Sequence, residues 1–258
     1  MTRFITIASG KGGTGKTTTA VNLGVCLRNL GLDVTIVDAS MTPNISLHLG
    51  VPKLPVTLND VLKGNQNIYQ ATYLHASGIK IIPASINLEE IKETDYTQLK
   101  EIFKQLQGTA EMVIIDSAAG INRENLATFD HQDEVLIVTN PEIAAVTDAL
   151  KTIKLAEEKG TTVIGIILNK IRNDDTELSV KEIETILGMP IIAEIPYSQD
   201  IRKAQKNKHP SVYLYPNSHA TASFKKLAAK LVGQNYETPI ISPKKGFWYF
   251  TGKILGFK

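Results

Sequence analysis

Short runs of β-branched and aliphatic residues alternate with stretches whose apolar residues return every three or four positions, almost to the end of this 258-residue chain. Arg3-Phe4-Ile5-Thr6-Ile7-Ala8 reads as a buried strand, because it is short, continuous and β-branched. In Thr19 to Leu27 the apolar positions Ala20, Leu23, Leu27 and then Leu30 recur at helical spacing. The strand pattern repeats in Asp33 to Val37, Ile79 to Pro83, Met112 to Ile115, Glu134 to Val138, Thr162 to Leu168 and Pro190 to Ile195. The helical pattern repeats in Thr97 to Leu106, Pro141 to Glu158, Leu178 to Leu187 and Ala220 to Leu231, the second of these with Val146, Leu150, Ile153 and Leu155 inward. Apolar strands separated by helices predict an α/β fold of three layers, a mostly parallel central sheet covered by helices on both faces. Ligands in such folds gather at the carboxyl ends of the strands. Gly10, Asp38, Asp116 and Asn169, each expected just past a strand end, then share one site.

The first strand-to-helix turn carries the clearest chemistry. In Ser9-Gly10-Lys11-Gly12-Gly13-Thr14-Gly15-Lys16-Thr17-Thr18, the segment from Gly10 to Thr17 fits G-x-x-x-x-G-K-[ST] in every fixed position. The glycines let backbone N–H groups point inward at an anion with no Cβ in the way. A helix beginning near Lys16 adds its positive end. Lys16 is then expected on the β- and γ-phosphates of a nucleotide, and the Thr17 hydroxyl on Mg²⁺. The fold class sharpens accordingly to a P-loop NTPase. Asp116, closing the apolar strand Met112 to Ile115, stands where the acid that holds Mg²⁺, usually through water, is expected.

Composition narrows the rest. The chain is 43% hydrophobic and 21% charged, ordinary for one large α/β domain. A net charge of +2 gives no electrostatic case for nucleic acid as a partner. The single Cys26 cannot form an intrachain disulfide, and the thiols for a structural zinc or iron–sulfur site are lacking. No apolar run long enough to span a bilayer is present, and the N-terminus lacks the order of a signal peptide. A cytoplasmic location follows as the expectation.

Lys11 adds information, since an ordinary P-loop does not require lysine there. Lys11-Gly12-Gly13-Thr14-Gly15-Lys16-Thr17-Thr18 resembles the deviant Walker A loop of the MinD/ParA superfamily. The resemblance implies that Lys11 crosses a dimer interface to the partner's nucleotide; a solvated loop lysine is the alternative. Ile115-Asp116-Ser117-Ala118-Ala119-Gly120 resembles the second switch, D-[ST]-P-A-G, with Ala118 where proline is usual. Asp38-Ala39-Ser40-Met41-Thr42-Pro43-Asn44 resembles the first switch of MinD proteins, D-x-D-x-x-x-x-N. Asp38 matches, Ser40 replaces the second aspartate, and Asn44 comes one place early. Asn140-Pro141-Glu142-Ile143-Ala144-Ala145-Val146-Thr147-Asp148-Ala149-Leu150 is very close to the MinD segment P-E-x-x-A-V-x-D-A, with Pro141 expected in the first helical turn. Asn169-Lys170 resembles the base-reading asparagine of these ATPases, a turn-forming asparagine being the alternative. Ile195-Pro196-Tyr197-Ser198-Gln199-Asp200 resembles the loop flanking the adenine.

With Pro216-Asn217-Ser218 and the helix after it, the resemblance covers residues 1–233. It implies ATP and Mg²⁺ as cofactors, catalytic roles at Lys11, Lys16, Asp38 and the Ser40 position, and Mg²⁺ contacts from Thr17, Asp38 and Asp116. Nucleotide contacts are implied for Gly10, Lys11, Gly12, Gly13, Thr14, Gly15, Lys16, Thr17, Thr18, Asn169 and Pro196. The aspartate missing at Ser40 is credited with orienting the attacking water. Serine can hydrogen-bond a water but brings no negative charge, and positioning with charge is most of phosphoryl-transfer catalysis. Hydrolysis is therefore expected to be slow, unless another group replaces the acid or the change is a neutral subfamily substitution.

After Gly233 the pattern changes. Residues 234–243 have no period and carry Pro239 and Pro243, which reads as a linker. Residues 244–258 hold the only tryptophan. Projected as a helix, Phe247, Trp248, Phe250, Ile254, Leu255 and Phe257 cover an arc of roughly 180°. An apolar arc, aromatic residues and the four lysines 244, 245, 253 and 258 mark an interfacial helix, and MinD proteins end in a similar membrane-targeting helix. Ordering costs and burial gains nearly cancel, so one tail is expected to bind anionic lipid weakly. Two tails on one dimer raise avidity by about 10²- to 10⁴-fold. A tail docked on its own domain is the alternative.

Three functions are compatible with these residues. The first is a MinD-like ATPase that forms a homodimer with ATP and cycles on and off the inner face of the cell membrane, together with an activating or cargo protein of unspecified identity. The second is a ParA-like segregation ATPase binding DNA through Arg202, Lys203, Lys206, Lys208, Lys225, Lys226 and Lys230, which solvated helix faces explain equally well. The third is an ATP-binding switch with little hydrolysis.

Overall fold

The apolar run at the N-terminus becomes β1 (Arg3–Ser9), and both of its faces are buried: Ile5 and Ile7 point to one side of the sheet, Phe4 and Ala8 to the other. The computed structural model describes residues 1–40, 43–51, 54–120, 127–129 and 134–236. After β1 come α1 (Lys16–Asn29), β2 (Val34–Ala39), α2 (Ile45–Leu49), α3 (Leu58–Leu62), β3 (Tyr73–Leu74), β4 (Lys80–Ile82), α4 (Leu88–Glu93), α5 (Leu99–Leu106) and β5 (Met112–Ala119). The second half holds β6 (Glu134–Thr139), α6 (Ile143–Glu158), β7 (Thr162–Ile171), α7 (Val180–Leu187), β8 (Ile191–Pro196), α8 (Gln199–Lys206), α9 (Ser211–Leu214) and α10 (His219–Leu231).

The strands form one sheet in the order β3-β4-β2-β5-β1-β6-β7-β8. Every neighbouring pair is parallel except β3, which runs antiparallel to β4. Helices α1 and α10 cover one face, with Phe224 and Leu27 fully buried between them and the sheet. On the other face α3 and α5 cover the β2–β5 half, and α6 and α7 cover the β6–β7 half. The three layers are those the hydrophobic pattern predicts. β1 sits where the chain order reverses, so the crevice at its carboxyl end is the ligand position of an open α/β sheet.

Several details differ from the pattern read along the chain. β5 runs on through Asp116 to Ala119, β2 includes Asp38 and β7 includes Asn169, so these polar residues lie inside the strand ends rather than just past them. Pairing carries them inward: Asp38 is in register with Asp116, and Asn169 with Ile195. α6 starts at Ile143, not Pro141, whose carbonyl instead accepts the Leu178 N–H at 2.9 Å. Its buried face is Ala145, Val146, Ala149, Thr152, Ile153 and Ala156, with Leu150 and Leu155 only partly covered. Small residues let this helix approach the sheet closely. Gln199 and Asp200, read as loop, begin α8, where the Ser198 hydroxyl accepts the Asp200 N–H at 3.1 Å. The short helices α2, α3, α4 and α9 span too few residues for a periodic signal.

α10, the last element among the described residues, ends at Leu231, and the Gln234 N–H still donates to the Ala229 carbonyl at 2.8 Å. The expected linker 234–243 is described only as far as Tyr236, and the expected membrane-targeting segment 244–258 lies outside the described residues. Among the described residues no helix is long and apolar enough to cross a membrane.

Candidate nucleotide site

The loop joining β1 to α1 is shaped by what its glycines lack. Gly15 stands immediately before α1 with φ of 104°, a conformation L side chains rarely adopt, and a Cβ there would strike the Asn169 carboxamide. A Cβ on Gly10 would collide with the Asp148 backbone carbonyl of α6. The loop is therefore pressed between β7 and α6, and three groups hold its carbonyls. Asn169 Nδ2 donates to the Thr14 carbonyl at 2.7 Å, and Asn140 Nδ2, from the end of β6, donates to the same carbonyl at 3.4 Å and to the Asn169 carbonyl at 2.9 Å. Lys170 Nζ donates to the Gly13 carbonyl at 2.5 Å. With its carbonyls turned outward to these partners, the loop keeps the start of α1 facing the crevice.

Charge is concentrated beneath the loop. Lys16 is buried, and its Nζ donates to Ser9 Oγ at 2.9 Å. Burial pulls this ammonium below its ordinary pKa, while the Asp116 carboxylate opposes that shift. The Thr17 hydroxyl donates to Asp116 Oδ2 at 2.6 Å. Asp38 is fully buried; its Oδ1 accepts the Ser40 N–H at 3.3 Å, and its Oδ2 accepts the Asn44 and Ile45 N–H groups, both at 3.1 Å. Asp38 thus fastens the start of α2. Burial raises both carboxyls above the ordinary range, and for Asp38 the neighbouring Asp116 charge adds to it.

These groups fit a hard divalent cation. Asp116 Oδ1 is buried and has no hydrogen-bond partner. Together with the Thr17 hydroxyl it supplies the oxygen donors that Mg²⁺ prefers. No group of three His, Cys, Asp or Glu residues able to hold a metal occurs among the described residues. Mg²⁺ bound by one or two protein groups takes its remaining ligands from phosphates and waters.

A cavity of about 530 Å³ opens above. Gly12, Gly13, Gly15, Lys16, Thr17 and Thr18 form its floor, and Ser40 lies on its wall. Asn169, Pro196, Tyr197, Arg202 and Gln205 also line it. Gly10 and Thr14 serve the packing of the loop, and Asp38 and Asp116 lie behind the cavity surface. Lys11 stands apart from the cavity: its Nζ pairs with Glu142 Oε2 at 3.0 Å, on the surface. Sequence reasoning missed Asn140, Arg202 and Gln205 as parts of this site, and reached Lys170 and Tyr197 only as members of segments resembling the base-reading asparagine and the loop flanking the adenine. Asn140 carried a signal, an asparagine ending an apolar strand as Asn169 does; Arg202 and Gln205 had none.

A family model of the CobQ/CobB/MinD/ParA nucleotide-binding domain matches residues 5–212. The chain belongs to this family. Within it the similarity is to the MinD branch. An uncharacterized ATP-binding protein of Methanocaldococcus jannaschii is 42% identical over 244 residues, which cover 94% of this chain and 92% of that protein. The septum site-determining protein MinD of Thermotoga maritima is 34% identical, with 95% of this chain and 94% of that protein covered. Among solved structures, Pyrococcus horikoshii MinD complexed with Mg-ADP superposes with a TM-score of 0.86 at 34% identity, covering 90% of this chain and 96% of that one. The fold is thus that of a MinD P-loop NTPase.

The contrast between two loop glycines is testable. Gly12 has nothing within 4 Å of an added Cβ, whereas Gly15 has both a left-handed φ and the Asn169 carboxamide against it. In nucleotide-free urea unfolding, Gly15→Ala is expected to cost about 1–3 kcal/mol, and Gly12→Ala within about 0.5 kcal/mol of nothing. Equal costs would contradict the loop geometry described.

Proposed function

We propose that this chain is a MinD-like ATPase that pairs with a second copy on binding ATP and Mg²⁺, and that the pair holds the cytoplasmic membrane through residues 244–258 until hydrolysis parts it. The observation that carries the reading is the position of Lys11. Its ammonium stays outside its own chain's cavity, on the rim, tethered only by an exposed ion pair with Glu142. An exposed pair of this kind contributes roughly 0–1 kcal/mol, so it yields readily to a triphosphate presented by a facing copy. The site inside one chain then lacks one cation, and a second copy supplies it.

Each residue has a task in that arrangement. The loop N–H groups and the N-terminus of α1 receive the phosphates. Lys16 neutralises the terminal phosphate from within the chain, and Lys11 from across the interface. Thr17 and Asp116 would hold Mg²⁺, which neutralises charge on the phosphates when bound. Asn169 and Pro196 border the base. Asp38 ties the first switch to the sheet through Asn44 and Ile45, so a change at the phosphates reaches α2. Ser40, where an aspartate is usual in MinD proteins, brings a hydroxyl instead of a charge to the attacking water, which makes turnover slow.

The relatives support the same reading. MinD of Aquifex aeolicus, 27% identical, has been solved as a MinC:MinD cell division complex, so the proposed output is the placement of a division or other cellular structure through a protein partner. Three of the seven residues on which DNA binding would rest have partners within the chain: Arg202 donates to Tyr197, Lys203 pairs with Asp200 at 3.7 Å, and Lys225 donates to the Pro216 carbonyl.

Sedimentation with anionic vesicles tests the reading. The full chain is expected in the pellet with ATP and in the supernatant with ADP or no nucleotide, and a chain lacking residues 244–258 in the supernatant throughout. Lipid binding that ignores nucleotide would overturn it. Ser40→Asp is expected to raise lipid-stimulated turnover by about tenfold or more, on the scale of a group that positions and polarises the nucleophile; unchanged turnover would show that Ser40 is not what limits hydrolysis.

A further inference from the structure

Tyr197 stands just past the end of β8, at the rim of the nucleotide cavity, and its ring is held from two sides. The Arg172 guanidinium lies over the ring, 4.8 Å from its centroid. Arg202 Nη1 donates to the Tyr197 hydroxyl at 3.1 Å. The Tyr197 backbone N–H donates to the Ile171 carbonyl at 2.8 Å, which fixes the residue against the end of β7.

Both arginines are themselves anchored. The Arg172 N–H donates to the two carboxylate oxygens of Glu177, each at 3.0 Å. Arg202 rides on α8, and one turn along that helix Gln205 Nε2 donates to Thr18 Oγ1 of α1 at 2.8 Å. The ring is thereby tied to β7 and, through α8, to the helix that follows the phosphate loop. Yet Tyr197 is 37% exposed, so this fixing serves no interior packing. It lines the same cavity as Asn169 and Pro196.

A rigid aromatic wall beside a hydrogen-bonding carboxamide is the chemistry that receives a flat heteroaromatic base. The cation over the ring draws on its electrons, and Tyr197, part-exposed, lines the cavity where a base can stack on it. Holding the ring in advance removes rotamer freedom that a ligand would otherwise have to freeze on binding. We infer that Tyr197 is the stacking wall of the base subsite, and that Arg172 and Arg202 are positioning residues that hold its ring in place. The inference rests on the nucleotide-binding reading above and adds to it the group that grips the base.

Titration calorimetry of the full chain with ATP and with inorganic tripolyphosphate, both with Mg²⁺, tests it. Tyr197→Ala is expected to weaken ATP about tenfold, as loss of one base–aromatic stack does, and to leave tripolyphosphate unchanged. Tyr197→Phe keeps the ring and its Arg172 contact and stays within about threefold of the wild type for ATP. Arg172→Leu falls between the two, again with tripolyphosphate unchanged. Retained tripolyphosphate binding also reports that a variant is folded. The inference is overturned if Tyr197→Ala costs ATP less than about threefold, if it weakens tripolyphosphate equally, or if Tyr197→Phe is as weak as Tyr197→Ala. A wild type that binds neither ligand overturns the nucleotide-binding reading itself.

Discussion

The site depends on how tightly the phosphate loop is gripped by the strand ends beside it. Asn169 donates to the Thr14 carbonyl while its carboxamide fills the space where Gly15 lacks a side chain. Asn140 supports Asn169 from β6, and Lys170 takes the Gly13 carbonyl. These contacts fix the Gly13 and Thr14 carbonyls against the ends of β6 and β7, and the glycine-rich turn and the start of α1 line the cavity. A loop free to rotate its peptides would offer an anion both N–H and C=O groups and hold it poorly. Fixing them beforehand places the ordering cost in folding rather than in binding.

Beneath that loop the electrostatics are left open. Two carboxylates, in register on adjacent strands, are buried behind the cavity with Lys16 as their nearby cation. Burial lifts both acids above their ordinary range, and one Asp116 oxygen has no partner. In the proposed arrangement Mg²⁺ and the phosphates supply the charges that balance the acids and Lys16. Lys11 lies outside the cavity, paired with Glu142. A triphosphate held between two copies would bring these charges together and couple ligand, metal and pairing in one event. Asp38 ties the start of α2 to the sheet through the Asn44 and Ile45 N–H groups.

Much of this was legible in the sequence because it rests on local rules. The run before Gly10, the glycines and Lys16-Thr17 specify strand, turn and helix in order, and apolar strands with helices between them specify the layered sheet. The depth of the polar residues was not legible. Asp116 looked like a residue closing a strand, but pairing of β5 with β1 and β2 carries the strand through it to Ala119. The start of α6 was misread because proline suits a first helical turn in general, whereas here the Pro141 carbonyl is taken by Leu178, far along the chain. Capping boxes at Thr57–Asp60 and Ser179–Glu182 start α3 and α7, and only the second is followed by a run long enough to show a period. Arg202 and Gln205 reach the site through contacts that no spacing encodes.

The central claim is that one chain's site is completed by the other chain's Lys11, and complementation between two inactive variants tests it most directly. Lys11→Ala keeps an intact phosphate site and cannot serve its partner; Asp38→Ala keeps Lys11 and has a damaged site. The account predicts that each alone fails to hydrolyse ATP and that an equimolar mixture recovers activity, because mixed pairs join the intact site of one to the lysine of the other. A mixture as inactive as its components would contradict it.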